Sequence, residues 1–257
     1  GGPGGRRRRP SLRRQVRLSP GMQVETDGTG TFLVIPVKRS IGSKQRLASE
    51  LPDDVRQLVS RALASRMVRC AAEGWAPSRV VVVGDDPEIT ELCARLGLAT
   101  LVDEGGGQSA AVRIGQAWCL EHGATTLATV AADLPRVEAS DLRRLWEMAS
   151  QLAPMSLALI PDRAGTGTNG MLFNPAGLDP FLFGADSLRR HREMAEELGL
   201  QLSVLDLPRL AWDIDRPEDL VPPSVPLGEG AHPVVAWARE VAGREHRASE
   251  LETWLGS

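Results

Sequence analysis

Short apolar, β-branched runs alternate with segments of helical period through most of this chain, and that alternation limits the folds open to it. TFLVIPV (31–37) precedes DDVRQLVSRALASRMVRCAAEG (53–74), in which Val55, Leu58, Val59, Ala62, Leu63 and Met67 recur at helical spacing. Asp53 is expected to cap the start of that helix and Gly74 its end. The unit repeats: RVVVVG (79–84) and a helix over 87–96, LATLVD (98–103) and a helix over 109–122, TTLATVAA (125–132) and a helix over 139–150. MSLALIP (155–161) and GMLFNP (170–175) follow as strands, then a helix over 187–198 and strands QLSVLDL (201–207) and LAWDID (210–215). Strands that are apolar throughout are covered on both faces. The expected architecture is α/β, a mostly parallel central sheet flanked by helices with right-handed crossovers.

The chain has 257 residues, 42% of them hydrophobic, enough to bury a substantial core. No apolar run approaches the ~20 residues that cross a bilayer. The three cysteines, Cys70, Cys93 and Cys119, lie far apart in helical segments among alanine and leucine. They read as buried small hydrophobes of a cytoplasmic protein, since neither a CxxC nor a Cys/His cluster is present. The first 21 residues carry seven arginines and no acid; removing those seven positive charges from the formal net charge of −3 leaves −10 on the remainder. The arginines are not interleaved with aromatics and no apolar stretch follows them, so neither a nucleic-acid module nor a secretion signal is complete. Met22 opens a chain of its own, and residues 1–21 are expected to be disordered or to lie upstream of the true start. The expected organisation is a basic tail over 1–30, one catalytic domain over 31–222, and a Pro- and Gly-rich linker with a final amphipathic helix over 223–257.

In open α/β sheets ligands bind beyond the carboxyl ends of the strands. After the first strand comes VKRSIGSKQRLAS (37–49). Of the thirty basic residues in the chain only Lys38 and Lys44 are lysine, six positions apart in this one loop. A compact, mobile point charge suits a polyphosphate, and Gly42 and Ser43 offer backbone amides to phosphate oxygens. Chance clustering is the alternative. AADLP (131–135) places Asp133 at a strand end, where a carboxylate holds Mg²⁺ through water and a ligand phosphate, or merely caps a helix. In WDIDRPEDL (212–220), Asp213 and Asp215 project from one face of an extended strand while Ile214 turns inward. Two like charges so close call for a cation; an exposed strand end is the other reading.

GTGTNG (165–170) matches G-x-G-x-x-G, but a dinucleotide fingerprint must open a helix, and MLFNPAG downstream reads as strand and turn. Gly165 and Gly167 permit tight backbone geometry, while Thr166, Thr168 and Asn169 supply donors without fixed charge, suited to a phosphate or carboxylate. In FGADSLRRH (183–191), Gly184 and Ser187 stand at a helix start, an anion site, with Arg189, Arg190 and His191 close behind. GGGQSAAV (105–112) enters a helix with backbone amides at Gly106 and Ser109 for a base or ribose. His122, His232 and His246 are given no role.

Taken in order, IPVK with a following K-x-R-L, D-L-P, P-D-R-x-G-T-G-T-N, F-G-x-x-S-x-x-x-H and D-I-D-x-P-E-D-L resemble the CofC/FbiD guanylyltransferases of coenzyme F420 biosynthesis. The match runs collinearly from Leu33 to Leu220. The resemblance implies a Rossmann-like, GT-A-like nucleotidyltransferase fold, with GTP and 2-phospho-L-lactate, phosphoenolpyruvate or 3-phospho-D-glycerate as substrates and pyrophosphate as product. It implies Mg²⁺ on Asp133, Asp213 and Asp215, and triphosphate binding and catalysis by Lys38, Lys44 and Arg46. The phosphoacid falls to Thr168, Gly184 and Ser187. Gln108-Ser109 stands where many members carry Leu-Asn. Partners are then small molecules rather than nucleic acid or membrane, with a homodimer through the C-terminal helix and a hand-off to the next F420-pathway transferase as further expectations. A molybdopterin- or sugar-type nucleotidyltransferase is the nearest alternative and an NAD(P)-binding protein a more distant one.

Overall fold

A computed structural model describes residues 16–17, 30–38, 44, 47–49, 52–103, 105–215 and 219. Gly42, Ser43, Arg46, the linker and the C-terminal helix lie outside the described residues. So does the basic stretch, apart from Val16–Arg17.

The elements in chain order are β1 (Val16–Arg17), β2 (Thr31–Pro36), α1 (Asp53–Gly74), β3 (Val80–Val83), α2 (Pro87–Leu96), β4 (Ala99–Leu101) and α3 (Gly107–Glu121). They continue as β5 (Thr126–Val130), α4 (Ala139–Ser150), β6 (Ser156–Pro161), β7 (Thr168–Asn174), α5 (Ser187–Glu197) and β8 (Gln201–Val204). One sheet in the order β1-β4-β3-β2-β5-β7-β6-β8 holds every strand. The β2–β3, β2–β5, β3–β4 and β6–β8 pairings are parallel, and β1–β4, β5–β7 and β6–β7 are antiparallel.

Alternation along each strand builds two cores. Leu33 and Ile35 of β2, with Val80 and Val82 of β3, face α1, α2 and α4 through Ala64, Met67, Leu92 and Leu145. Phe32, Val34, Val81 and Val83 face the opposite side, onto Val112, Trp118 and Cys119 of α3, where Leu188 and Ala195 of α5 join the same cluster. The chain therefore winds outward from β2 to β4 with α1 and α2 on one face, then returns through α3 on the other to lay β5 beside β2. The reversal opens a crevice at the carboxyl ends of β2 and β5. Because β7 runs antiparallel to β5, its first residues arrive at that same edge.

The helices over 53–74, 87–96 and 139–150 have the bounds the periodicity predicts. Asp86 caps α2 by accepting from the Glu88 and Ile89 amides, and Gly97, at φ 72°, ends it. Four expectations give way. Asp53 does not cap α1: Pro52 occupies that position, and Asp53 instead accepts from Arg56 and Gln57 within the first turn. Gly74 is not a left-handed stop but a close-packing residue, where a Cβ would run into the Ala139 carbonyl oxygen and lie 3.0 Å from Leu142 Cβ. LAWDID forms no strand, because no neighbour pairs with it. β8 is shorter than QLSVLDL and exposed along its length, an edge rather than a covered strand.

Gly74→Ala is expected to destabilise the protein by about 1–3 kcal/mol, since a backbone carbonyl in a helix contact has nowhere to move. Gly177→Ala, with open space around it, is expected to be near neutral. Urea unfolding of both variants checks the contrast.

Candidate active site

A cleft of about 880 Å³ lies at the carboxyl ends of β2 and β5, within the size range of ligand sites. Lys38 and Lys44 line it. Thr166, Thr168, Asn169, Gly184 and Ser187 line it too, with Thr168 and Asn169 on β7, across β5 from β2, and so do Asp133, Asp213 and Asp215.

Lys44 organises the floor. Its backbone is left-handed at φ 50°, and its side chain is only 6% exposed. Its Nζ donates to Asp133 Oδ2 at 3.1 Å and to the Ile214 carbonyl. Burial alone pushes Asp133 upward, but the Lys44 and Lys38 charges outweigh it and hold the carboxyl below the ordinary value. Asp133 is thus a pocket carboxylate and not a helix cap; α4 is capped reciprocally by Glu138 and Asp141.

Asp213 behaves oppositely. Burial, then the negative charge of Asp133, pushes it up to about 6, partly offset by the Asn169 amide donating to its Oδ1 at 3.4 Å. The same amide donates to the Leu210 carbonyl at 3.0 Å. Asn169 thus holds the 210–213 segment through its Nδ2 group while lining the cleft. Among the described residues no group of three or more potential ligands converges on a metal position. Asp215 faces the cleft but does not complete the expected triad, and its backbone N–H donates to Asp219. Asp133, already paired with Lys44, and Asp213, raised by burial and by the Asp133 charge, are the part of that set that fits a divalent cation.

Packing, and not a sheet ladder, fixes the aspartates. Ile214 and Trp212 are buried and alternate with Asp213 and Asp215. The guanidinium carbons of Arg136 and Arg163 each lie 4.1 Å from the Trp212 ring centroid, a double cation–π contact. Burial, then Arg163 across the ring, holds Arg136 below its usual value. Arg163 in turn pairs with Asp219 at 2.9 Å. Arg209 grips Asp141 of α4 through two nitrogens.

The GTGTNG hexapeptide divides in the middle. The first half is a turn centred on Asp162, whose Oδ1 accepts the Thr166 amide at 2.8 Å while its Oδ2 lies 3.4 Å from the Thr166 hydroxyl. Gly165 has φ 68°, and a Cβ on Gly167 would lie 2.7 Å from Asp162 Oδ2. Thr166 thus spends its donors on the turn, and its carbonyl accepts from the Leu188 amide at the start of α5. The second half is strand β7, so no helix follows and the dinucleotide reading is excluded. Thr168 is 6% exposed and turns its hydroxyl to His191. α5 begins at Ser187 as expected, and Gly184 has φ 117° beside it. Arg189 points away, to Glu193, and Arg190 donates to the Phe183 carbonyl. Neither Gly106 nor Ser109 lines the cleft; Gln108 does.

Sequence reasoning passed over the Trp212 clamp, and it placed His191 near the anion site without its contact to Thr168. A tryptophan directly before the aspartates, and a histidine one turn into a helix that opens at the cleft, are the signals that were present.

A doubly wound mixed sheet with a lysine- and aspartate-lined cleft at its switch point is the arrangement of an α/β protein that binds a phosphorylated ligand. A putative nucleotide-diphospho-sugar transferase from Desulfovibrio desulfuricans shares the fold, with a TM-score of 0.59 at 16% identity over 83% of this chain and 96% of that one. Residues 31–232 match the family model "Guanylyl transferase CofC like", and the chain belongs to that family. It is similar to the phosphoenolpyruvate guanylyltransferase of Rubrobacter xylanophilus, 39% identical over 74% of this chain and 91% of the relative. It is also similar to the 3-phospho-D-glycerate guanylyltransferase of Colwellia psychrerythraea, 28% identical over 74% of this chain and 89% of the relative.

Asp213 yields a signed pH prediction. Its folded value of about 6 lies above the ordinary 3.8, so its ionised form opposes folding above pH 6, and the opposition fades as pH falls toward 4. Asp213→Asn is expected to stabilise the metal-free protein by about 2 kcal/mol near pH 8 and by little near pH 4. Urea midpoints measured in chelator at both pH values check it. An equal gain at both would trace to packing and not to relieved charge.

Proposed function

We propose that this cleft transfers GMP from GTP to the phosphate of a three-carbon phosphoacid, with release of pyrophosphate, as a step of coenzyme F420 biosynthesis. The acceptors are 2-phospho-L-lactate, phosphoenolpyruvate or 3-phospho-D-glycerate. The observation that carries this reading is that one cleft brings together Lys38 and Lys44, which follow β2, with Thr168 at the start of β7 and Gly184 and Ser187 at the start of α5. The lysines suit a triphosphate and the other group a smaller anion at a helix start. Named relatives divide between phosphoenolpyruvate and 3-phospho-D-glycerate; the more similar of these two names phosphoenolpyruvate, which makes it the first acceptor to test.

An oxygen of the acceptor phosphate attacks the α-phosphorus of GTP, the bond from that phosphorus to the bridging oxygen breaks, and pyrophosphate leaves with the electron pair. The acceptor phosphate has a second pKa of about 6 and arrives ionised, so no proton has to be removed. The obstacle is charge repulsion between two anions. Lys38 and Lys44, with Arg46 from the same loop, neutralise the leaving phosphates, and Thr168, Ser187 and the backbone around Gly184 orient the acceptor. Asp133 and Asp213 are the residues that would hold Mg²⁺, with Asp215 alongside, and a bound Mg²⁺ supplies Lewis-acid stabilisation of the triphosphate oxygens. Gln108, at the first turn of α3, is the cleft side chain placed to meet the base or ribose, a role first expected of Gly106 and Ser109. The substrates are small molecules of the cytoplasm. No helix among the described residues is long and apolar enough to cross a membrane.

Pyrophosphate release is expected with GTP, Mg²⁺ and one of the three phosphoacids. It should be abolished by chelator and much weaker with CTP, UTP or ATP. Silence with all three acids in a protein that binds GTP would remove the acceptor reading. Lys44→Met is expected to lower turnover by roughly 10²- to 10³-fold while the protein still melts cooperatively; turnover within a few-fold of wild type would remove Lys44 from the machinery.

A further inference from the structure

His191 takes no part in the transfer just described, yet it sits directly behind the acceptor wall and is fully buried. Both ring nitrogens are engaged. The Leu182 backbone N–H is shared, donating to the Pro180 carbonyl at 3.0 Å and to Nε2 at 3.1 Å, and Nδ1 lies 2.9 Å from Thr168 Oγ1. The edge of the Phe183 ring closes the remaining side, 5.4 Å between centroids at 74°.

The tautomer is assigned from the hydrogen-bond network, in which the Leu182 N–H reaches Nε2. A ring nitrogen that accepts an amide N–H carries no proton, so the neutral imidazole holds its proton on Nδ1. Nδ1–H then donates and the Thr168 oxygen accepts. A hydroxyl has one hydrogen, and with its oxygen engaged by His191 that hydrogen turns to the cleft that Thr168 lines. The opposite tautomer, or the charged ring, would set Nε2–H against the Leu182 N–H. Burial, then the neighbouring Arg190 charge, lowers the ring to about 4 and keeps it neutral at physiological pH, against a smaller upward pull from the Pro180 backbone. With both nitrogens occupied and no path to the cleft, the ring is not a general base.

We propose that His191 is a positioning residue: its Nδ1–H holds the Thr168 oxygen as an acceptor, so that Thr168 donates its only hydrogen to an anionic oxygen of the phosphoacid. The same ring, through Nε2, fixes the Leu182 turn that leads into Gly184, so one buried side chain sets two parts of the acceptor wall. The inference rests on the reading of Thr168 as a ligand of the phosphoacid. It adds the reason why that hydroxyl is a donor of fixed direction and not a free rotor.

The test is steady-state kinetics with GTP and the active phosphoacid, each varied in turn, on folded variants. His191→Gln puts an amide oxygen near Nε2, keeping an acceptor for Leu182 but losing the donor to Thr168. It is expected to raise the KM for the phosphoacid roughly tenfold and leave the KM for GTP unchanged. His191→Asn puts an amide nitrogen near Nδ1 and is expected to recover most of that loss. Thr168→Val is expected to match His191→Gln, and the double variant to be no worse than Thr168→Val alone. Thr168→Val impaired with His191→Gln normal would overturn the inference and leave the acceptor reading standing. Losses that multiply in the double variant, an equal rise in the KM for GTP, or no recovery in His191→Asn would also overturn it. An unchanged phosphoacid KM in Thr168→Val would overturn the acceptor reading itself.

Discussion

The buried ammonium of Lys44 lies between the Asp133 carboxylate and the Ile214 carbonyl, and the cleft is arranged around that contact. An ion pair this far from water costs desolvation that only close geometry and further hydrogen bonds offset. Here one lysine satisfies two groups from distant parts of the chain, so the loop after β2, the loop after β5 and the segment after β8 are tied at a single point. The Ile214 amide donating to the Asp133 carbonyl doubles the tie. Lys38, on the same loop, adds charge without burial. The Lys44 ammonium is therefore held in place before any anion enters, which lowers the reorganisation that binding and reaction require.

The opposite wall is set by contacts that bring in no cation. Asp162 folds the turn after β6, Asn169 reaches across to Leu210 and Asp213, and His191 backs Thr168. These contacts place donors without adding a second cationic cluster, and the two walls differ in chemistry as two anions of different size would require. Asp213 is the group left under electrostatic stress, with Asp133 nearby and only an amide for relief. A site that keeps a carboxylate in that condition gives up stability.

The helices were the most legible part of the sequence, because long periodic segments with clear start and stop residues carry their own signal. α2 is the clearest case, with Asp86 and Pro87 opening it and Gly97 closing it. LAWDID misled for a physical reason. Alternating apolar and acidic residues suit a strand, but they equally suit a coil in which Trp212 and Ile214 plug the core while the aspartates face the cleft. Only the partners, Arg136 and Arg163 on Trp212, distinguish the two, and they lie more than 45 residues away in sequence. The division of GTGTNG between an Asp162 turn and strand β7 was hidden likewise, since a glycine-rich hexapeptide fits both.

Sequence alone determined the α/β class, the location of the chemistry at strand ends, the unusual pair Lys38 and Lys44, the aspartates and Thr168, because residue type and local period carry those. Tertiary structure decided which groups share a cleft and in what protonation state. Asp133 stays ionised beside Lys44, Asp213 is pushed upward beside Asp133, and His191 is neutral behind Thr168. Those outcomes depend on burial and on distances between residues remote in the chain, and neither quantity is present in a local pattern.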